Sequence, residues 1–176
     1  MASVIPTEYT NTLQVTDEVA SFSAEIEAEV DKHIAKYPPE RKRSAILPIM
    51  FIVQRELGWI TPAGVNYVAK RLDLEVTDVW EVGTFYSMIK MRPIGKHHIQ
   101  ICKTLSCKIM GEPQITEHVC KRLGIHAGET TPDGKFTVSM VECLGSCGTA
   151  PMLQVGFDYH ENLTTAKVDE LLDSLE

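Results

Sequence analysis

The sequence has no long apolar run. Its longest, residues 45–53, is broken by Pro48 and falls well short of the roughly 18 residues a membrane-spanning helix needs. The first residues hold no positive stretch leading into an apolar core, which predicts no secretory leader. There is no basic stripe interleaved with aromatics. Lys and Arg number 17 against 24 Asp and Glu, and the resulting net charge of −7 sets nucleic acid aside as a partner. No G-x-G-x-x-G is present, so no dinucleotide site is expected on this chain. Neither C-x-x-C nor the plant-type ferredoxin spacing occurs, and no repeat or low-complexity segment is found. These absences lead to the expectation of a soluble, cytoplasmic protein without membrane insertion.

What is present suffices for one sizeable domain, or for one domain with a helical extension: 176 residues, 44% of them apolar. Residues 1–17 show no periodicity and read as a flexible N-terminal arm. Phe22, Ile26, Val30 and Ile34 then recur at steps of four, which predicts a first helix over 18–37 with an acidic, solvated outer face, stopped by Pro38-Pro39. A second helix is expected from about Arg43-Ser44 to Leu57, with Ser44 as its cap and Gly58 as its stop. Thr61-Pro62 opens a third, burying Val65, Val68 and Leu72. Glu75 or Thr77 opens a fourth through Trp80. Four short, capped helices over 18–90 predict a helical bundle.

Beyond a linker at 91–95 the period changes. Residues 98–102 alternate as a strand, 112–123 are helical and end at Gly124, 136–142 alternate again, and 152–155 form a short apolar strand. Residues 158–162 read as a turn, and Thr164 or Thr165 caps a last helix. The order β–loop–α–β–β–α over 91–176 is a small sheet flanked by helices, and the whole chain is expected to be α+β.

Each strand-like run leads into a cysteine pair. Four residues separate Cys102 from Cys107, and three separate Cys143 from Cys147. If the two strands are neighbours, four thiolates converge at one end of the sheet. Such a set suits a [2Fe–2S] cluster, which needs two sulfurs on each iron. Formally that site is a dianion, and a trianion once reduced, so it wants nearby dipoles. Ser106, Ser146, Gly145 and Gly148 are small enough to let backbone N–H groups reach the sulfurs. Lys103 and Lys108 offer positive charge, or are simply solvated. Structural zinc fits these spacings equally well, so the residues alone leave iron–sulfur and a zinc-stabilised interaction module open. Two disulfides are disfavoured by a reducing compartment.

Cys102-x4-Cys107 followed by Cys143-Leu144-Gly145-Ser146-Cys147-Gly148-x-Ala150-Pro151 resembles the thioredoxin-like [2Fe–2S] ferredoxin family. More narrowly it is similar to the NuoE-type subunits in the peripheral arm of NADH:quinone oxidoreductase, respiratory complex I. The helical half is similar too, in 43–49, in Gln54-Arg55-Glu56-Leu57-Gly58-Trp59-Ile60 and in Val82-Gly83-Thr84-Phe85-Tyr86-Ser87-Met88. The likeness runs from about Ser23 to the end. It implies a four-helix bundle followed by a thioredoxin-like domain, with Cys102, Cys107, Cys143 and Cys147 as the iron ligands. It implies one-electron exchange with the FMN of a NuoF-type partner that also binds NADH, alongside other peripheral-arm subunits. The flavin and nicotinamide sites then belong to the partner, the chain is peripheral to the inner membrane, and no residue here is nominated as acid, base or nucleophile. The equivalent diaphorase subunit of an NAD-linked hydrogenase or formate dehydrogenase is the alternative assembly.

Several residues stand outside this set. Cys120 reads as a small buried hydrophobe in mid-helix. His97 and His98 read as surface residues at a strand start. Trp59 and Trp80 read as packing residues and not as redox relays. Residues 83–88 either contact the flavin subunit or the cluster, or pack as a helix end.

Overall fold

The computed structural model describes residues 16–175. Most of the expected N-terminal arm, up to residue 15, lies outside them. The described residues divide between Pro93 and Ile94 into two compact units.

The first unit is helical. α1, Ala24–Ile34, opens on Ser23, whose Oγ accepts the Ile26 N–H at 3.5 Å. The expected start at residue 18 was too early. Phe22 keeps the helical step to Ile26, but residues 16–22 are not helical, and they are held on the third helix. Asn66 Nδ2 donates to the carbonyls of Thr16 and Glu18 at 2.6 and 2.7 Å, and Phe22 meets Tyr67 edge to face at 4.7 Å. Pro39–Ala45 forms a 3-10 stretch, and α2, Ile46–Leu57, follows it with Ala45 at its cap position, so Ser44 is not the cap. Pro48 sits in the first turn of α2, where a missing N–H costs nothing.

α3, Pro62–Leu72, and α4, Val76–Phe85, carry the caps their sequences announce. Thr61 Oγ1 accepts the Gly64 N–H at 3.0 Å, and Glu75 forms a reciprocal capping box with Asp78. α4 continues through Gly83 to Phe85, further than its pattern suggests. One core unites these helices through Val30, Ile49, Met50, Val53, Val68, Leu72 and Val79, with Trp80 partly buried at its margin. After α4, Gln54 holds the chain: its Nε2 donates to Met88 O at 3.2 Å and its Oε1 accepts from the Lys90 N–H. Phe85 and Met88 remain 79% and 50% exposed.

The second unit is a mixed four-stranded sheet of order β2-β1-β3-β4 with three helices. β1, His97–Cys102, pairs parallel with β2, Phe136–Val141, in a register that sets Ile99 beside Val138 and Cys102 beside Val141. β3, Leu153–Val155, runs antiparallel to β1, and β4, Asp158–His160, antiparallel to β3. The β1–β2 crossover carries α5, Leu105–Ile109, and α6, Glu112–Leu123. α7, Thr165–Ser174, is capped by Thr164 Oγ1. Ile115 and Val119 of α6 and Val168 and Leu172 of α7 share a core with Ile99, Ile101, Val138 and Leu153. His118 and Arg122 on α6 meet Asp169 and Asp173 on α7. Together the two units are an α+β chain with a mixed sheet. No helix among the described residues is long and apolar enough to cross a membrane.

Two elements were not expected. α5 occupies what read as a cysteine loop; at five residues it is too short to show a period. β4 replaces an expected turn, because Asp158 and Asn162 have turn chemistry and three residues cannot show alternation. His97 and His98 are half-buried and not surface residues: His97 stacks against Phe136 at 5.5 Å, and His98 Nε2 meets Ser139 Oγ at 2.9 Å. His97 begins β1 and Cys102 ends it, so the two lie at opposite ends of the strand.

The start of β1 approaches β2 so closely that a side chain at Gly95 has no room. A Cβ there would lie 2.8 Å from the Phe136 carbonyl carbon and 2.9 Å from its nitrogen. Neither backbone atom can rotate away. Gly95→Ala is therefore expected to destabilise by about 1–3 kcal/mol, as overpacking does. The check is a lower urea midpoint of the full chain at unchanged slope. An unchanged midpoint would show slack between the strands.

Candidate metal centre

Parallel pairing delivers both cysteine segments to one edge of the sheet. Cys102 is the last residue of β1 and Cys143 follows β2 by two residues. Cys102 is held on both sides: its N–H donates to Met152 O at 3.3 Å, and the next N–H, of Lys103, donates to Val141 O at 3.0 Å. Cys107 is carried by α5. Cys102 and Cys107 are buried with Ala150 and Met152, and Leu144 packs on them. Cys143 and Cys147 are exposed, and Cys147 opens a 3-10 turn, Cys147–Thr149.

The sulfurs lie in two pairs. Cys143 Sγ and Cys147 Sγ are 3.4 Å apart, and Cys102 and Cys107 are hydrogen-bonded to one another. The first segment also reaches the second pair. Thr104 Oγ1 lies 3.3 Å from Cys102 Sγ, and the Thr104 and Ser106 hydroxyls also act to lower the Cys143 and Cys147 thiols respectively. Among the described residues no three His, Cys, Asp or Glu side chains are gathered tightly enough to hold one metal ion. The arrangement is two pairs of thiols, not four thiols about one point.

Backbone donors surround the sulfurs. The Gly145 N–H reaches Cys143 Sγ at 3.4 Å, with Gly145 at φ +86°, a conformation that favours glycine. The N–H groups of Leu144 and Met152 serve Cys102 and Cys107. These contacts decide which thiol ionises first. Burial pushes the Cys102 thiol up, but the donors from Thr104, Leu144 and Cys107 together hold it below its ordinary value. Burial and the donated bond to Cys102 push Cys107 up to about 11. The Gly145 N–H, Cys147 and Thr104 hold Cys143 down, while its bond to Cys143 raises Cys147. Each pair thus has one thiol held below its ordinary value and one held above it.

The four expected cysteines lie in two pairs beyond the neighbouring ends of β1 and β2. Cys120 does not join them: it sits half-buried in α6 against the sheet core, and burial raises its thiol. Of the expected small residues, Gly145 and Ser106 donate to sulfur, whereas Ser146 Oγ is engaged with Glu161 and Thr149. Lys103 and Lys108 are not free charges: they pair with Glu142 at 3.0 Å and with the buried Glu112 at 3.3 Å. Thr104 was missed. A hydroxyl two residues past a cysteine was the available signal. The Leu144 and Met152 N–H groups left no signal at all, since any residue has one.

The donor set fits a dinuclear iron–sulfur group: two thiol pairs, shielded on one side by apolar side chains and supplied with N–H and O–H donors. Comparison with known proteins agrees. The chain belongs to the thioredoxin-like [2Fe–2S] ferredoxin family, which it matches over residues 30–176. It is 46% identical over 141 residues to the E subunit of NADH-quinone oxidoreductase from Rickettsia prowazekii, covering 80% of each chain. To NADH-quinone oxidoreductase subunit 2 of Thermus thermophilus it is 45% identical over 147 residues, covering 83% of this chain and 81% of that one. Its fold is similar to part of the crystal structure of an NAD+-reducing [NiFe]-hydrogenase in the air-oxidized state. There the TM-score is 0.65 at 16% identity, covering 72% of this chain and 22% of the hydrogenase chain.

A thiol alkylates as its thiolate, so the lowered groups react first where they are accessible. In the metal-free chain near neutral pH, Cys143 is expected to be alkylated by iodoacetamide ahead of Cys107 and Cys120. Raising the pH should narrow the difference, because the raised thiols then ionise. Peptide mapping by mass spectrometry reads the order, and Cys107 reacting first would contradict the assigned hydrogen bonds.

Proposed function

We propose that this chain is the electron-transfer subunit of an NADH:quinone oxidoreductase, holding one [2Fe–2S] cluster through Cys102, Cys107, Cys143 and Cys147. The observation that carries it is the delivery of both cysteine pairs to one end of the sheet by the parallel β1–β2 pairing, with Cys143 Sγ and Cys147 Sγ 3.4 Å apart. Cys102 and Cys107 would share one iron, and Cys143 and Cys147 the other. Bound there, the cluster accepts and returns one electron at a time.

The chain's own residues do the rest. Ala150, Met152 and Leu144 keep water from the buried pair. Gly145, Leu144 and Met152 present N–H dipoles that stabilise thiolate over thiol, and Thr104 and Ser106 tie the two segments together. The catalytic role of the chain is conduction of electrons within a complex. The partner is a NuoF-type subunit carrying FMN and the NADH site, with further peripheral-arm subunits around it. This chain lies on the cytoplasmic side of the membrane, peripheral to it, as part of a membrane-bound complex. The relatives named as subunits of NADH-quinone oxidoreductase support this assembly.

The purified chain should be brown, with visible absorption that bleaches on dithionite. A colourless protein holding one zinc per chain after anaerobic preparation would overturn the redox role. Serine at Cys102, Cys107, Cys143 or Cys147 should lose or perturb the cluster, whereas Cys120→Ser should leave its spectrum unchanged. An intact cluster in Cys147→Ser would show the ligands to be misassigned. Isolated with its natural partners, the chain should bring down a flavin- and NADH-binding subunit. A hydrogenase or formate dehydrogenase large subunit in the same complex would move the chain to that assembly.

A further inference from the structure

The second cysteine pair sits on an exposed segment outside the strand ladder, yet it must keep two sulfurs in ligating geometry. Several of its constraints come from one short stretch, residues 159–162, at and just after β4. Tyr159 Oη donates to the Leu144 carbonyl at 2.7 Å. Glu161 Oε1 accepts from Ser146 Oγ and, at 2.6 Å, from Thr149 Oγ1, while the two hydroxyls lie 2.7 Å apart. The Asn162 N–H donates to Thr149 O at 2.7 Å. Ser146 directly precedes Cys147 and Thr149 lies two residues beyond it, so one carboxylate oxygen grips both flanks of the ligand.

The Tyr159 contact reaches further. The Leu144 carbonyl and the Gly145 N–H belong to one planar peptide group, and in a trans peptide they point opposite ways. Tyr159 holds the carbonyl end, and the other end donates to Cys143 Sγ at 3.4 Å. A donor on the carbonyl also polarises the N–H, because linked hydrogen bonds strengthen one another. We propose that Tyr159 and Glu161 are positioning residues for the iron-holding loop: Tyr159 aims and polarises the Gly145 N–H at Cys143, and Glu161 clamps the turn that carries Cys147. The proposal rests on the four-cysteine assignment above.

The test uses the full, cluster-loaded chain and three variants beside Cys147→Ser. Tyr159 is half exposed, so Tyr159→Phe removes one hydroxyl without touching the core. A weakened N–H dipole stabilises the more negative reduced state less. The expected result is a lower midpoint potential and an altered electron paramagnetic resonance spectrum at full cluster content. Glu161→Ala is expected to lose iron to a chelator about 10-fold faster, the lower end of what an outer-shell contact contributes. Glu161→Gln keeps an amide oxygen that accepts from both hydroxyls and should restore most of the wild-type rate. Chelator lability is the readout for Glu161, because removing its charge would shift the potential by itself.

A wild-type potential and spectrum in Tyr159→Phe removes Tyr159 from the brace. Wild-type lability in Glu161→Ala, or lability as high in Glu161→Gln, removes Glu161. Should Glu161→Ala not fold, Tyr159→Phe and Glu161→Gln still decide. Cys147→Ser separates the two levels. If it keeps the native cluster, the ligand assignment fails and takes the brace with it. If it loses the cluster while the Tyr159 and Glu161 variants behave as wild type, the brace alone fails.

Discussion

Parallel pairing of β1 with β2 is the constraint on which the site depends. Two neighbouring strands that run the same way release their next residues at the same edge. Had β1 and β2 been antiparallel, Cys102 and Cys143 would lie at opposite ends of the sheet, as His97 and Cys102 do within one strand. A parallel pair cannot be closed by a hairpin and needs a crossover of a dozen or so residues. Here residues 103–135 make it, and α6, within that crossover, packs through Ile115 and Val119 on the strands it connects. The crossover therefore builds part of the core and also begins with α5, which carries Cys107. One topological choice places three of the four sulfurs.

The central position of β1 explains why the two pairs differ. Cys102 has β2 on one side and the segment leading into β3 on the other, and both bond to its backbone or to the next residue. Burial of Cys102 and Cys107 follows from that enclosure. β2 is an edge strand, so the segment leaving it has a neighbour on one side only, and Cys143 and Cys147 are exposed. Cys102 is placed by backbone ladder bonds, Cys107 by α5, and the second pair largely by side chains. Side-chain placement is where substitution acts most directly, since a ladder bond survives a change of residue and a hydroxyl–carboxylate contact does not.

Much of this was legible in the sequence because it rests on local chemistry. Thr61, Thr164 and Glu75 announce helix starts, and Gly58 and Gly124 end helices at positive φ. The residues at 97–102 and 136–141 alternate in sequence, and a cysteine pair follows from the end of each strand. What was hidden is of two kinds. α5, β4 and the 3-10 stretch are too short to display a period. The extended run at 16–22 kept a helical step at Phe22, and its true partner, Asn66, lies about fifty residues on. The remaining hidden contacts are all of that second kind. Thr104 on Cys143, the Leu144 N–H on Cys102, and Tyr159 on the Leu144 carbonyl depend on where the fold returns, and spacing along the chain carries no trace of that.

Electrostatics decides how such a site is stabilised. The chain carries net charge −7, and a [2Fe–2S] site with four thiolates is itself anionic. Lys103 and Lys108 adjoin the cysteines in sequence and look like the compensation. Yet each is met by a carboxylate, Glu142 or Glu112, so little net positive charge faces the sulfurs. The compensation falls instead to dipoles: the N–H groups of Leu144, Gly145 and Met152, and the hydroxyls of Thr104 and Ser106. Exposed lysines would be screened within a Debye length of about 8 Å at physiological salt. Short-range donors in contact with sulfur are screened far less. A potential set by these dipoles is governed by the shape of two loops more than by the ionic surroundings.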